Sequence, residues 1–128
     1  MWRMIWQEKI SQTVMVTNIK EQNKRKETRN LTHFQYTTWP DHRVPEADNL
    51  VAFHHRIKRS QSLTNTNNTK APPLLVHCSA GIGRTGTFIA LDALSEYCKH
   101  ANTINVFKYI KKMREEERMN MVQTAVSQ

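Results

Sequence analysis

Residues 77–86 read His77-Cys-Ser-Ala-Gly-Ile-Gly-Arg-Thr-Gly86 and directly follow the apolar run Leu74-Leu75-Val76. A short apolar run of this kind predicts a buried strand, and the pattern after the glycines predicts a helix over about 85–99. Cys78 is therefore expected at the end of a strand, and Arg84 follows it six residues later at the start of a helix. A thiol at such a point can attack a bound oxyanion, and phosphate is the oxyanion that we expect.

The residues between the cysteine and the helix suit a site that holds an anion. Gly81 and Gly83 allow the backbone to turn tightly and to direct successive N–H groups inward, and the helix N-terminus adds the positive end of its dipole. The same cradle can stabilise the Cys78 thiolate, to which the Thr85 hydroxyl is placed to donate, and then the phosphate. Arg84 supplies a planar guanidinium that holds two phosphate oxygens. The predicted phosphate-binding residues are Ser79, Ala80, Gly81, Ile82, Gly83, Arg84 and Thr85.

Two further residues fit the remaining steps of phosphate-ester hydrolysis. Asp41 lies in a Trp-Pro-Asp turn after a predicted strand and is the candidate general acid, since such a turn can close over a site. Gln123 is neutral, both donates and accepts hydrogen bonds, and is the candidate that orients the attacking water. His77 precedes the nucleophile on the strand, so we expect it on the opposite face, where it braces the loop.

Size and composition narrow the class of protein. The chain has 128 residues, enough for one domain, and its net charge of +8 indicates an acidic partner: phosphate groups, nucleic acid or an anionic membrane surface. Two cysteines make no disulfide framework, and no metal-ligand spacing occurs, so neither a metal nor another cofactor is expected. No run has the ~18 apolar residues of a membrane span, and the first residues do not form a signal peptide. We expect a cytoplasmic protein in which Cys98 is a buried structural thiol.

The other segments alternate between strand and helix patterns and predict an α/β domain. Strands are predicted at 13–19, 31–38 and 73–77. The last of these is expected to be central and covered on both faces. Besides the helix over 85–99, helices are predicted at 2–7, after a cap at Asp48, and after a cap at Asn102 or Thr103.

Two polar segments separate these elements. Residues 20–29 are highly charged and predict a solvated linker, with a nuclear-import or nucleic-acid patch at 24–26 as the alternative. Residues 60–71 are rich in serine, threonine and asparagine and predict a mobile loop.

Taken together, these residues resemble the tyrosine-specific protein phosphatases. The run 76–86 is similar to their phosphate-binding signature loop, Trp39-Pro-Asp-His42 to their mobile acid loop, and Met121-Val-Gln-Thr124 to the segment that bears their water-positioning glutamine. The Gly-Arg-Thr-Gly ending of the signature favours the tyrosine-specific branch over the dual-specificity branch. A looser similarity is to the host-targeted phosphatases of wasp-associated polydnaviruses.

The resemblance implies a partial phosphatase-type fold, in which helices flank a central mixed sheet that lacks several family strands. It also implies that the chain hydrolyses phosphotyrosine in proteins. Cys78 would then be the nucleophile that forms a phosphocysteine, Arg84 and the loop would bind phosphate, and Asp41 would protonate the leaving oxygen. Gln123 would position water, and Arg118 would brace the signature loop.

The chain also departs from the family. Family domains are about twice as long, the strands without a counterpart fall around 20–29, and Arg43 stands where the acid loop usually has glycine, which impairs closure if that position needs a positive φ. We therefore predict a single truncated domain over 1–128 that hydrolyses phosphotyrosine. Two alternatives stay open: a phosphotyrosine-binding decoy that turns over poorly, and a truncated product that does not fold stably. Nucleic-acid binding has only the net charge behind it and is the least favoured.

Overall fold

The computed structural model of the chain describes residues 1–16, 30–41, 43–64, 72–101, 103–116 and 122. Within these residues, helices and strands follow one another in the order α1 (Trp2–Gln7), β1 (Gln12–Met15), β2 (Thr32–Gln35), α2 (Ala47–Thr64), β3 (Leu75–His77), α3 (Gly83–Cys98) and α4 (Val106–Glu116). The α/β architecture predicted from the sequence is confirmed, and each described element falls within or close to the segment in which it was expected.

The described strands form one parallel sheet in the order β2-β1-β3, and the mixed sheet that the family resemblance implied is not seen among them. The register places Val14 opposite Phe34 on one side and Val76 on the other. The prediction that the strand before Cys78 is central is wrong for this sheet. All four residues of β1 are buried, whereas those of β3 are half-buried. A short apolar run shows that a strand packs on a core, but it does not distinguish an edge strand from a middle one.

One face of the sheet packs against α2 and α3. The buried cluster there consists of Val14, Val16, Tyr36, Trp39, Leu50, Ile57 and Phe88. Aromatic rings connect it, with the centroids of Tyr36 and Phe53 5.1 Å apart and those of Phe53 and Phe88 6.1 Å apart. Phe88 and Ile57 are fully buried, and each such side chain contributes about 1.5–3 kcal/mol relative to an exposed one. This cluster fixes α3, and therefore the loop before it, against the sheet.

The helix α2 is longer than the sequence predicts. Asp48 is its second residue rather than its cap, and the helix continues through 60–64, where a mobile loop was expected. Ser60 accepts a hydrogen bond of 3.1 Å from the Gln12 amide, so this last part of the helix is tied to β1. A polar segment can continue a helix when it contains neither glycine nor proline, as here, because the propensity costs of serine, glutamine and threonine are small. The remainder of the predicted loop and the charged linker at 20–29 lie outside the described residues.

Two predictions near the end of α3 and the start of α4 are corrected. Asn105 caps α4, because its Oδ1 accepts the backbone N–H of Lys108 at 2.8 Å; the expected caps were Thr103 and Asn102, the latter outside the described residues. Cys98, expected to be a buried thiol, is exposed, because the end of α3 and the turn after it (96–100) do not pack on the core.

The topology brings two loops to one edge of the sheet. Because the strands are parallel, their carboxyl ends lie at the same edge. Cys78 directly follows β3, and the Trp39-Pro40-Asp41 turn begins four residues after the end of β2. The two segments that the sequence singled out are therefore neighbours in space.

Candidate active site

The Cys78 sulfur lies inside a loop that donates hydrogen bonds to it. Its Sγ accepts the backbone N–H of Gly81 at 3.2 Å and the Thr85 hydroxyl at 3.0 Å. Gly81 has φ +72°, a left-handed conformation in which a residue with a side chain costs roughly 1–2 kcal/mol. A Cβ at Gly81 would meet no atom within 4 Å, so the backbone conformation and not the available space requires glycine there. The predicted Thr85 contact is confirmed.

These hydrogen bonds determine the ionisation of the Cys78 thiol. Partial burial raises its pKa, because a sulfur anion loses solvation in the fold. The Thr85 hydroxyl and the backbone N–H groups of Thr85, Gly81 and Ile82 outweigh burial, so the pKa lies below the ordinary value for a thiol. A larger fraction of Cys78 is therefore thiolate, the nucleophilic form, than in a free thiol at the same pH.

The start of α3 contributes to this cradle. The helix begins at Gly83, and no side chain in the described part of the chain caps its first turn. The N–H groups of a helix N-terminus favour an anion, and here that end faces the sulfur through the Thr85 N–H. The sequence predicts that Gly81 and Gly83 both shape the loop. Gly81 does have a positive φ, whereas Gly83 is the first residue of the helix.

Arg84 projects from the first turn of α3 toward the Trp39-Pro40-Asp41 turn. Its Nη2 donates to Oδ1 of Asp41 at 2.9 Å and to the carbonyl oxygen of Pro40 at 3.4 Å. Its guanidinium carbon lies 5.9 Å from the centroid of the Trp39 ring. The structure therefore brings together the predicted phosphate-binding arginine and the predicted acid. The Trp39 and Pro40 contacts were not predicted, and their only signal in the sequence is that they adjoin Asp41.

The rest of the predicted loop surrounds the sulfur with graded exposure. Ser79, Ala80 and Gly81 are exposed, whereas Ile82 and Gly83 are half-buried. Arg84 is also half-buried and Thr85 is buried. The outer rim of the cradle is therefore accessible, and its inner side is anchored to α3.

His77 points away from the sulfur, as predicted from strand alternation. In the register it lies opposite Met15, while Val76 of the preceding position lies opposite Val14 on the core face. The His77 ring centroid is 6.4 Å from that of His33 on β2. Burial and the neighbouring charge of His77 both lower the pKa of His33. The His77 carbonyl accepts the backbone N–H of Val16 at 3.0 Å, which holds the strand end just before the loop.

The turn that carries Asp41 is held by a hydrogen bond, and Arg43 does not have a positive φ. The Trp39 indole Nε1 donates to the carbonyl oxygen of Arg43 at 3.1 Å. Arg43 is not among the non-glycine residues with positive φ, so the condition under which it would impair closure is not met. His42, Arg118 and Gln123 lie outside the described residues, so their predicted roles stay predictions.

Comparison with known proteins places the chain in a family. The sequence pattern of the protein-tyrosine phosphatases matches residues 22–127. Receptor-type tyrosine-protein phosphatase F of Rattus norvegicus is 32% identical over 166 residues, covering 96% of this chain and 8% of the relative. Tyrosine-protein phosphatase non-receptor type 9 of Homo sapiens is 40% identical over 110 residues, covering 80% of this chain and 18% of the relative. The chain belongs to the protein-tyrosine phosphatase family.

The same comparison shows how much of the relatives this chain covers. The chain spans less than a fifth of the length of either relative. The 166-residue alignment is longer than the 128-residue chain, so receptor F carries residues within the aligned region that have no counterpart here. With its small parallel sheet and four described helices, the structure is a short, partial version of the phosphatase fold. In the described residues no helix is both long and apolar enough to span a membrane.

Proposed function

We propose that this chain is a protein tyrosine phosphatase that hydrolyses phosphotyrosine in proteins through a phosphocysteine intermediate. One observation carries the proposal: the Cys78 sulfur accepts hydrogen bonds from Gly81 and Thr85 at the N-terminus of the helix whose second residue, Arg84, contacts Asp41. A stabilised thiolate, a guanidinium and a carboxyl group at one sheet edge are the groups that this reaction needs. Membership of the family supports the same conclusion.

In the first step the Cys78 thiolate attacks phosphorus. The sulfur–phosphorus bond forms as the bond from phosphorus to the tyrosine oxygen breaks, and Asp41 gives its proton to that oxygen. Arg84 and the N–H groups of the loop hold the equatorial phosphate oxygens, where negative charge is spread in the transition state.

In the second step water displaces the Cys78 sulfur from phosphorus. Asp41, now ionised, takes a proton from the water. At the same time the water oxygen bonds to phosphorus and the sulfur–phosphorus bond breaks. The products are inorganic phosphate and the Cys78 thiolate, which the Thr85 hydroxyl again stabilises. Gln123 is assigned to hold the water, on the sequence argument alone.

The test is turnover of an aryl phosphate and of a phosphotyrosine peptide by the purified chain. Cys78→Ser removes the nucleophile, and Cys98→Ser makes the same change at an exposed thiol at the far end of α3. Phosphate release is expected from wild type and from Cys98→Ser, and loss to background from Cys78→Ser. Circular dichroism on all three proteins shows whether each is folded. A folded wild type that releases no more phosphate than Cys78→Ser contradicts the proposal.

A second candidate is a phosphotyrosine-binding decoy, which binds the phosphotyrosine but does not hydrolyse its phosphate ester. The residues of receptor F without a counterpart in this chain favour it, because a cradle can remain after other parts of a catalytic domain are lost. Calorimetry with a phosphotyrosine peptide and its unphosphorylated form separates the two. Tight binding of the phosphopeptide with no phosphate release supports the decoy, and equal affinity for the two peptides removes it.

A further inference from the structure

Arg84 and Asp41 contact each other directly, although the proposed reaction requires each of them elsewhere. The Nη2 group of Arg84 donates to Asp41 at 2.9 Å and also reaches the Pro40 carbonyl. In the reaction, the guanidinium would donate to phosphate oxygens, and the Asp41 carboxyl would face the leaving oxygen. A guanidinium donor bonded to the carboxylate is not available to phosphate in the same geometry.

The burial of the two partners indicates which of them moves. The Arg84 side chain is 18% exposed, is anchored in α3 and lies against the Trp39 ring. The Asp41 side chain is 90% exposed and lies in a turn outside any helix or strand. Of the two partners, the Asp41 carboxylate is therefore the one that an entering anion would displace.

We propose that Asp41 acts as an internal stand-in for phosphate: its carboxylate occupies Arg84 in a self-blocking contact that a substrate phosphate displaces. The released carboxylate takes up a proton from solvent, and it can then give that proton to the leaving oxygen. This inference rests on the proposed function, since it assigns an additional role to the same two residues. Binding of substrate phosphate and positioning of the acid then become one coupled step.

Competition between the two anions sets the size of the effect. A phosphate ester offers two oxygens to the guanidinium fork and further oxygens to the loop N–H groups, so it outcompetes a single carboxylate. The contact nevertheless lowers the apparent affinity, because only the unpaired fraction of Arg84 is ready to bind. A salt bridge with one exposed partner is weak, and we expect a reduction of about two- to fivefold.

The experiment measures binding of tungstate, an inorganic oxyanion, by calorimetry, so that it does not depend on turnover. Asp41→Asn removes the carboxylate from Arg84. Asp48→Asn is the matched control, because it makes the same change of charge in the first turn of α2. Tungstate is expected to bind Asp41→Asn about two to five times more tightly than wild type, with Asp48→Asn unchanged. Equal affinity of wild type and Asp41→Asn overturns the inference and leaves the proposed function standing. Absence of tungstate binding in every folded variant overturns both.

A second measurement asks whether Asp41 acts through its direct contact with Arg84 or only through its negative charge near the site. In a Cys98→Ser background, the rate of Cys78 alkylation by iodoacetate, an anionic reagent, is compared with and without Asp41→Asn. When Arg84 is present, Asp41→Asn is expected to accelerate the alkylation of Cys78. In the Arg84→Gln background, Asp41→Asn is expected to leave that rate unchanged. If the acceleration is the same in both backgrounds, Asp41 acts through bulk charge and the self-blocking contact is wrong.

Discussion

The N-terminus of α3 and the middle of the same helix both carry charged contacts, but their surroundings differ. In the middle, Asp92 accepts the Nε2–H of His54 at 2.8 Å and is 2.9 Å from the Lys58 Nζ. His54 is buried, whereas Asp92 and Lys58 are partly exposed, so this cluster joins α2 to α3 at the edge of the core. At the N-terminus, Arg84 is paired with the exposed carboxylate of Asp41. The first group of contacts has its partners fixed by packing, whereas the second has a partner that a ligand can replace.

The pKa of Asp92 reflects that fixed environment. Burial raises it, and the hydrogen bonds from His54 and Lys58 outweigh burial, so the pKa lies below the ordinary range of an aspartate. The carboxylate therefore favours the folded state at neutral pH. On the account proposed above, one helix separates two tasks: the middle of α3 supports stability, and its first turn exchanges Asp41 for a ligand. Substitutions at the two places should affect different measurements.

The largest expected effect comes from a substitution at the N-terminus of α3. Arg84→Lys replaces a planar fork by a point charge, so it should lower kcat/KM for a phosphotyrosine peptide by about 100- to 1,000-fold. Arg56→Lys makes the same change at an exposed position of α2 and should leave the rate unchanged. Thermal unfolding of Arg84→Lys should remain close to that of wild type. If Arg84→Lys unfolds at a much lower temperature, Arg84 is structural and the contrast between the two regions fails.

The middle of the helix gives the next effect, which is on stability. Asp92→Asn removes the negative charge that His54 and Lys58 share, and we expect a loss of about 1–2 kcal/mol, limited by the partial exposure of Asp92 to water. Because the folded pKa is lowered, this contribution is complete above the unfolded pKa near ~4 and is lost as the pH falls through the folded pKa. Urea unfolding at neutral and acidic pH measures it.

The control for Asp92 is a charge pair on the surface. Glu116 lies 3.6 Å from Lys112 on α4, and both side chains are more than 60% exposed. Glu116→Gln should therefore change the unfolding free energy by less than about 0.5 kcal/mol. A loss equal to that of Asp92→Asn would show that the buried His54 partner adds nothing.

The smallest effect sharpens the comparison within the first turns of α3. Thr85→Val removes the hydroxyl that donates to the Cys78 sulfur, so the pKa of the thiol should rise and its alkylation below that pKa should slow by about three- to tenfold. Thr87→Val is the matched control, because the Thr87 hydroxyl donates to the Gly83 carbonyl instead. Alkylation by iodoacetamide in a Cys98→Ser background measures both. Equal rates for Thr85→Val and wild type at pH 6 would exclude the hydroxyl as a stabiliser of the thiolate.

Local patterns in the sequence predicted much of this site. The apolar run before Cys78, the glycines after it and the Trp-Pro-Asp turn indicated a strand, an anion cradle and an acid loop, and the strand, the loop conformation and the turn are all found. The Thr85 contact followed from the same local geometry. These features depend on residues close together in the chain, whose conformations are set by backbone sterics and hydrogen bonding.

The features that the sequence did not predict depend on distant residues. The contact between Arg84 and Asp41 joins residues 43 positions apart, and the pair of His54 and Asp92 joins residues 38 positions apart. The middle position of β1 in the sheet follows from which strands pair, and the extended end of α2 makes a hydrogen bond to Gln12 on another element. Charge and periodicity do not show which side chains meet across a fold.

The most direct test is the titration of the Cys78 sulfur in folded Cys98→Ser protein, followed through the rate of iodoacetamide alkylation as a function of pH, with and without tungstate. The loop predicts a midpoint below the value of about 8.5 for a free thiol, and slower alkylation when tungstate is bound. A midpoint at or above that value, together with no protection by tungstate, would contradict a thiolate held beside an anion-binding cradle.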